Sequence, residues 1–395
     1  SIKFKNKSLS RDLKLNIIKE ISKSKISNKK VIKNISINSK MIKKNDVFFA
    51  IKGKKVDGNK FVFEALKKKS SLAIVNQINK NFSVSKQIKV RDTLDFLAKC
   101  SSIFRENINA KIISITGSCG KTTLKEMIGL TLKKISKVTY SPKSYNNKYG
   151  VPLSLFNLKH NDEFGVFEVG MDKKGEIDNL TKIIKPDLGI ITNISYAHSK
   201  NFKNINQIAN AKAEIINNIQ EKGTIILNRD DNFYDLHKNF ALKKNLKVIS
   251  FGIKHKSSMI KLIKIKKLNN KHELFFNVGG LFVSFYSYND NKSNLYNILA
   301  TLAVINLYFD IYKLKKDIFL KFRTPNGRGD ISKVKLRNKQ VFLVDETYNS
   351  NPLSLKTAIE NYDKIESKNF KKHLILGDML ELGKHSVKQH KLISK

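Results

Sequence analysis

The sequence predicts an α/β protein, and three observations carry that prediction. Short apolar, β-branched runs alternate with segments of helical spacing through the middle of the chain. One run, Ile112-Ile113-Ser114-Ile115-Thr116, opens directly into Gly117-Ser118-Cys119-Gly120-Lys121-Thr122-Thr123, and a helical pattern follows from Leu124 to Leu130. Chemistry-bearing residues such as Glu168 and His198 follow the ends of other runs, where open parallel sheets bind ligands.

Strand, glycine-bracketed loop and helix N-terminus together cradle phosphate. Backbone N–H groups and the helix dipole face the anion, Lys121 reaches the outer phosphates, and a threonine hydroxyl takes Mg²⁺. The glycine spacing is shortened: Ile115 stands where the usual first glycine would be, and Gly117 brackets the loop instead. The plainer reading is an ordinary strand-to-helix turn, which the Gly-x-x-Gly-Lys-Thr-Thr string after a β run disfavours.

The 395 residues suffice for two or three domains. No apolar run approaches the ~18 residues of a membrane span, and no basic-then-apolar leader opens the chain. We therefore expect a cytoplasmic protein with no membrane insertion. Cys100 and Cys119 make neither a disulfide framework nor a zinc site. Lysine and arginine number 76 against 33 acidic residues, a formal net charge of +43. Such a balance suggests nucleic acid, but the lysines are spread along the whole chain with no zinc-finger, RNP or helix-turn-helix signature. They read as solvated faces, with incidental polyanion binding at low salt and no specific nucleic-acid partner.

Residues 1–106 read as a small α/β domain: a helix from Leu9 to Ile21, a strand from Val31 to Ile37, another across Asp46–Gly53, a helix from Phe61 to Lys69 and a buried strand at Leu72–Val75. After a helical connector, Leu94–Phe104, residues 107–312 read as a central parallel-sheet ATPase domain. It holds strands at Val138–Tyr140, Gly165–Met171, Asp187–Ile194 and Thr224–Asn228, a polar loop at Ser144–Pro152, and helices at Ala209–Ile219 and Leu295–Tyr308. From Val248 to Tyr288 short alternating strands suggest an antiparallel flap. Residues 313–395 read as a third, Rossmann-like α/β domain that stops short: strand Val341–Asp345, helix Leu353–Tyr362 and strand His373–Asp378.

Taken singly, a strand-end Glu168 is more often a cap, His198 more often structural, and Lys212 more often surface. Their order behind a phosphate loop, and the wording around them, changes that. Ile115 to Glu126, Asn146-Asn147-Lys148-Tyr149-Gly150-Val151-Pro152-Leu153, Glu168-Val169-Gly170-Met171, Ile191-Thr192-Asn193-Ile194 with Ala197-His198, Ala211-Lys212-Ala213-Glu214-Ile215 and Asn294-Leu295-Tyr296-Asn297 resemble the Mur ligase family. Asp345-Glu346-Thr347-Tyr348-Asn349-Ser350-Asn351-Pro352 and Gly377-Asp378-Met379-Leu380-Glu381-Leu382-Gly383 point to the branch that adds D-alanyl-D-alanine to UDP-N-acetylmuramoyl-tripeptide in cell-wall synthesis.

The resemblance implies an ATP- and Mg²⁺-dependent, ADP-forming ligase with an acyl-phosphate intermediate, acting as a monomer on small-molecule substrates. It implies that Gly117, Ser118, Cys119, Gly120, Lys121, Thr122, Thr123, Asn294, Asn297, Arg328 and Asp345 contact nucleotide. Thr122, Glu168 and His198 would serve two Mg²⁺ ions. Lys121, His198 and a carbamylated Lys212 would form the catalytic group, and Ser39, Asn146, Asn147, Asn349 and Asn351 would contact substrate. Departures from the family wording are Asn38-Ser39-Lys40 for Asp-Ser-Arg, which loses a bidentate phosphate contact, Ser293 for a histidine and Glu346 for an aspartate. A sister ligase adding one amino acid or a folate glutamate, a basic nucleic-acid-stimulated ATPase, and a nucleotide-binding chain without ligase activity remain the alternatives.

Overall fold

The computed structural model describes residues 13–26, 31–53, 55–337, 339–365 and 371–393; residues 9–12 of the expected first helix lie outside them. In chain order the elements begin with α1 (Leu13–Ser22), β1 (Ile35–Ser36), β2 (Val47–Phe49), α2 (Val62–Lys67), β3 (Leu72–Val75), β4 (Gln87–Lys89) and α3 (Thr93–Glu106). Next come β5 (Lys111–Thr116), α4 (Lys121–Leu132), β6 (Val138–Tyr140), α5 (Gly150–Phe156), β7 (Phe164–Glu168), α6 (Glu176–Ile184), β8 (Leu188–Ile191), α7 (Ile205–Asn217), β9 (Thr224–Asn228), α8 (Tyr234–Lys243) and β10 (Lys247–Gly252). The chain then runs through β11 (Ile260–Lys267), β12 (His272–Val278), β13 (Leu281–Ser287), α9 (Lys292–Tyr308), β14 (Asp330–Leu336), β15 (Lys339–Asp345), α10 (Pro352–Asp363) and α11 (Ser386–Ile393).

Two compact units result. The first takes residues up to Ile112, Thr139–Phe167 and Asn179–Lys185; the second takes Ile113–Val138, Glu168–Asp178 and everything from Pro186 onward. In the first unit β1, β2, β3 and β4 form a parallel sheet in that order. Its strands β2 and β3 are buried along their whole length, as continuous apolar runs in a covered parallel sheet are. Ile42, Phe48, Ala50, Val62, Ala65, Leu66, Ala73 and Val75 form one cluster of its core. The strand expected over Val31–Ile37 shrinks to Ile35–Ser36, because only those residues find ladder partners. Asn157 grips Ile35 from both sides, accepting from its N–H at 2.8 Å and donating to its carbonyl at 2.9 Å.

The second unit carries parallel strands in the order β10-β9-β8-β5, with Ile113 opposite Leu188 and Leu188 opposite Thr224. Helix α9 is buried from Leu295 to Ile305 apart from its half-buried Tyr296, which fits its almost uniformly apolar sequence. The expected flap is antiparallel only from β11 through β13. Strand β10 pairs parallel with β9 over five residues, and its buried Ile249, Ser250 and Phe251 belong to the sheet core.

Among the described residues, four helices and two strands escape the sequence reading: α5, α6, α8, α11, β4 and β14. Helix α5 lies partly in the stretch read as a polar loop. Asn147 Oδ1 accepts from the N–H groups of Tyr149 and Gly150, both at 3.0 Å, and so starts the helix. Pro152 falls in its first turn, where no donor is missed. The expected strand at His373–Asp378 is irregular. No strand pairs with it among the described residues, and Ile375 is 94% exposed. Without a ladder its backbone groups turn to water or to side chains, as His373 O accepts from Tyr362 Oη at 2.8 Å.

Candidate functional site

The glycine loop between β5 and α4 is shaped by one steric demand. Gly117 has φ +144°, and a Cβ there would stand 1.8 Å from Thr192 Oγ1. Gly120, at φ +81°, caps α4 from the left-handed region. Residues just past β8 hold the loop in place. Cys119 N–H donates to Asn193 Oδ1 at 2.9 Å, Thr192 Oγ1 donates to Cys119 O at 2.7 Å, and Ser118 N–H donates to Asn193 O at 2.9 Å. Ser118 Oγ donates to Ser195 O at 3.0 Å and accepts from Ser195 N–H at 2.8 Å. Sequence reading assigned Thr192, Asn193 and Ser195 no role. Their signal is positional, since they follow the strand paired to β5.

Lys121 Nζ donates to Gly117 O at 2.8 Å and is half-buried at the start of α4, followed by the buried hydroxyls of Thr122 and Thr123. Burial pulls the Lys121 amine below its ordinary range, against the opposing pull of Glu168. Glu168 ends β7 and is fully buried; the next residue, Val169, donates its N–H to Ile115 O at 2.8 Å, which sets the carboxylate level with the end of β5. Lys212, on α7, is 1% exposed. Burial first, and the Lys121 charge second, hold its amine well below the usual lysine range.

His198 sits at φ +53°, with Nδ1 2.5 Å from Glu381 Oε2 and 3.3 Å from Asp172 Oδ1. Burial lowers its pKa, the Glu381 carboxylate resists, and Lys121 and Lys212 both add to the lowering. Lys121, Glu168, His198 and Lys212 therefore share one electrostatic neighbourhood, as their order in the sequence predicts. Asp172 and Glu381 join it without having been assigned to it.

The remaining expected residues divide. A Cβ on Gly120 would lie 3.8 Å from Asn297 Oδ1, so Asn297 borders the loop. Asn294 donates its amide to Ser287 Oγ at 3.1 Å and Asn289 O at 2.6 Å, closing the start of its own helix. The Arg328 guanidinium stacks on Tyr348 at 4.0 Å, and its charge reaches Lys121. Asp345 accepts from Thr347 N–H and Oγ1 at 2.9 and 2.7 Å. Burial, with Asp330 and Asp345 beside it, pushes Glu346 up to about 7.

Asn351 caps α10, accepting from Leu353 and Ser354 N–H at 3.1 Å each, and its Nδ2 lies 3.1 Å from Cys119 Sγ. Asn349 Oδ1 accepts from Ser350 N–H. In the first unit Ser39 Oγ donates to Glu64 Oε2 at 2.8 Å, Asn147 Oδ1 accepts from Tyr149 and Gly150 N–H in the turn before α5, and Asn146 is half-buried. Among the described residues no three His, Cys, Asp or Glu side chains cluster as a metal cage.

Comparison with known proteins follows the same lines. Residues 115–305 match the Mur ligase middle domain, and residues 31–105 match the Mur ligase family catalytic domain. The UDP-N-acetylmuramoyl-tripeptide–D-alanyl-D-alanine ligase of Rickettsia prowazekii is 32% identical over 92% of this chain and 80% of its own. Its counterpart in Buchnera aphidicola from Acyrthosiphon pisum is 33% identical over 92% and 78%. Among solved structures, MurF from Acinetobacter baumannii superposes with a TM-score of 0.81 at 26% identity, covering 95% of this chain and 81% of that one. The Thermotoga maritima MurF ligase in complex with ADP gives 0.76 at 28% identity, over 91% and 81%.

Proposed function

Because the chain belongs to the Mur ligase family, we infer that it joins D-alanyl-D-alanine to UDP-N-acetylmuramoyl-tripeptide, converting ATP to ADP and phosphate, in peptidoglycan precursor synthesis. The observation that carries the chemistry is a half-buried Lys121 and a buried Lys212, both with lowered amine pKa, beside the buried Glu168 at a glycine loop. Two desolvated ammonium groups repel unless an anion or proton loss separates them, and a polyphosphate supplies the anion.

A tripeptide carboxylate oxygen attacks the γ-phosphorus of ATP; the bond to the bridging oxygen breaks and ADP leaves with its electron pair. The amine nitrogen of D-alanyl-D-alanine then attacks the acyl carbon, phosphate departs, and the amine proton passes to solvent. Lys121 neutralises charge at the β- and γ-phosphates, and the loop N–H groups hold them in line. Asn297 borders the nucleotide, and Arg328 approaches from the last segment. On this reading residues 1–106, 107–312 and 313–395 serve the UDP-sugar, ATP and dipeptide ends, and the enzyme works as a cytoplasmic monomer.

The donor set fits Mg²⁺. Thr122 and Glu168 offer buried oxygen atoms beside the loop, the chemistry that hard cation takes, and His198 offers a nitrogen for a second ion. Bound there, Mg²⁺ offsets phosphate charge. Burial favours the neutral amine of Lys212, the form that adds to carbon dioxide. The product carbamate carries one negative charge and releases one proton, which turns a repelling lysine into a further oxygen donor.

The test is ADP release with the two substrates supplied separately and together. Release that requires both supports the reading, and turnover with a single free amino acid in place of the dipeptide overturns it. Release stimulated by DNA or RNA at physiological salt would instead favour the nucleic-acid alternative that the net charge of +43 raises.

A further inference from the structure

The string Met379-Leu380-Glu381-Leu382-Gly383-Lys384-His385 lies against the loop Tyr196-Ala197-His198-Ser199-Lys200-Asn201-Phe202 through a set of contacts that the reaction chemistry does not explain. Lys200 N–H donates to Glu381 O at 2.9 Å, and Ser199 Oγ donates to Leu382 O at 3.3 Å. His385 Nε2 and Phe202 O meet at 3.0 Å, and the His385 and Tyr196 rings lie 5.0 Å apart. Met379 and Leu382 are buried at 3% and 1% exposure. Gly383, at φ +54°, presses so closely that a Cβ would stand 2.8 Å from Lys200 Cα. At the centre, Glu381 Oε2 lies 2.5 Å from His198 Nδ1.

Both members of that central pair occupy left-handed backbone, His198 at φ +53° and Glu381 at φ +64°. Neither is glycine, so each conformation costs free energy that its surroundings must offset. The two strained residues sit at the two ends of one short contact, inside a set of one backbone and two side-chain-to-backbone contacts.

We propose that Met379–His385 is a clasp on the His198 loop, and that Glu381 is a positioning residue for the His198 imidazole. Two carboxylates, Glu381 and Asp172, lie at the Nδ1 edge at ion-pair distance without a hydrogen-bonding angle, and their charge favours a proton on that edge over Nε2. The clasp comes from the last segment of the chain, so seating that segment and orienting His198 become one event. This gives Glu381 and Gly383 separate tasks: the carboxylate aims the ring, and the missing side chain lets the backbones meet. The proposal rests on the ligase reading for its catalytic consequence, but not for the clasp itself.

In the intact enzyme, Glu381→Gln keeps the shape and removes the charge. It is expected to lower kcat for ligation about tenfold or more, with the KM for ATP held within about threefold, as loss of a partner that orients a ligand does. The ring C–H resonance of His198, assigned by comparison with His198→Gln, shifts in the same variant, and Glu381→Asp recovers part of kcat. Gly383→Ala opens the clasp, and the Lys200 amide then exchanges with solvent deuterium at least about tenfold faster, as a lost backbone hydrogen bond predicts. A Glu381→Gln enzyme with unchanged kcat and an unmoved His198 resonance overturns the positioning role. Unchanged Lys200 exchange in Gly383→Ala overturns the clasp. A wild-type protein that ligates nothing refutes the ligase reading alone, since the resonance and the exchange rate still decide the contact.

Discussion

Around Gly117–Lys121 the backbone is fixed by what lies beside it: β5 is paired in register to β8, and Thr192, Asn193 and Ser195 pin the loop with their own polar groups. From Asp330 onward the secondary structure is of another kind. Among the described residues, strands β14 and β15 pair only with each other, and their side chains are exposed or half-buried. What holds that segment near the loop is a few docked residues, Asn351 on Cys119 and the clasp on His198. A group set in the sheet is positioned by the core, whereas a group in the last segment is positioned by its contacts, each of which can be removed singly.

The widest gap between the two regions should appear in turnover. Replacing Lys121 by Ala is expected to cut substrate-dependent ADP release roughly 10³-fold, the scale of losing a preorganised charge at a reacting group. A Lys121→Ala enzyme within tenfold of wild type would show that the loop does not carry the chemistry. Acid should act next, and on the sheet side. His237 on α8 is buried with Nε2 3.1 Å from Ala209 O on the Lys212 helix, and burial pulls its pKa down to about 4. The unfolded chain takes up a proton near pH 6.5 that the folded chain refuses until about 4. Stability should therefore fall on acidification through that window, by about 3 kcal/mol in all. Urea unfolding of wild type and His237→Gln between pH 7 and 4 checks it, since the variant should lack that slope.

Smaller effects belong to the last segment. Asn351→Ala removes a helix cap and should cost about 1 kcal/mol in the stability of α10, read as faster amide exchange at Leu353 and Ser354. No change there would mean the capping hydrogen bonds contribute nothing. Ile375→Asp should change global stability by less than about 0.5 kcal/mol, because the side chain is already in water. A larger loss would place Ile375 in a core.

Much of the sheet was readable because buried parallel strands are short, nearly pure apolar runs. Val47–Phe49, Leu72–Val75 and Leu188–Ile191 needed no context. The same rule failed at His373–Asp378, where the apolar run exists but its ladder does not. Helix α5 was hidden because its start depends on a side chain, Asn147, turning back onto backbone. In the candidate site, Lys121, Glu168, His198 and Lys212 could be named from their order and wording. Glu381 could be quoted but not assigned, since its partner lies 183 positions earlier and no local pattern joins them. Asn294, Asn351 and Asp345 show the reverse: the wording marked them, and the structure gives each a hydrogen-bonding task nearby.

The first unit is assembled from three separate stretches of chain, ending at Ile112, Phe167 and Lys185. On the ribosome this imposes an order of events. When the first stretch has emerged, Ile35 still lacks Asn157, which follows it by 122 residues, and Arg105 lacks the Ile184 and Lys185 carbonyls that its guanidinium donates to. The phosphate loop, at Gly117–Lys121, is translated before those partners. Completion of the opening unit therefore waits on synthesis of part of the next one, and a truncation placed after the first hundred or so residues would release a fragment with its own hydrogen-bond partners left behind on the unmade chain.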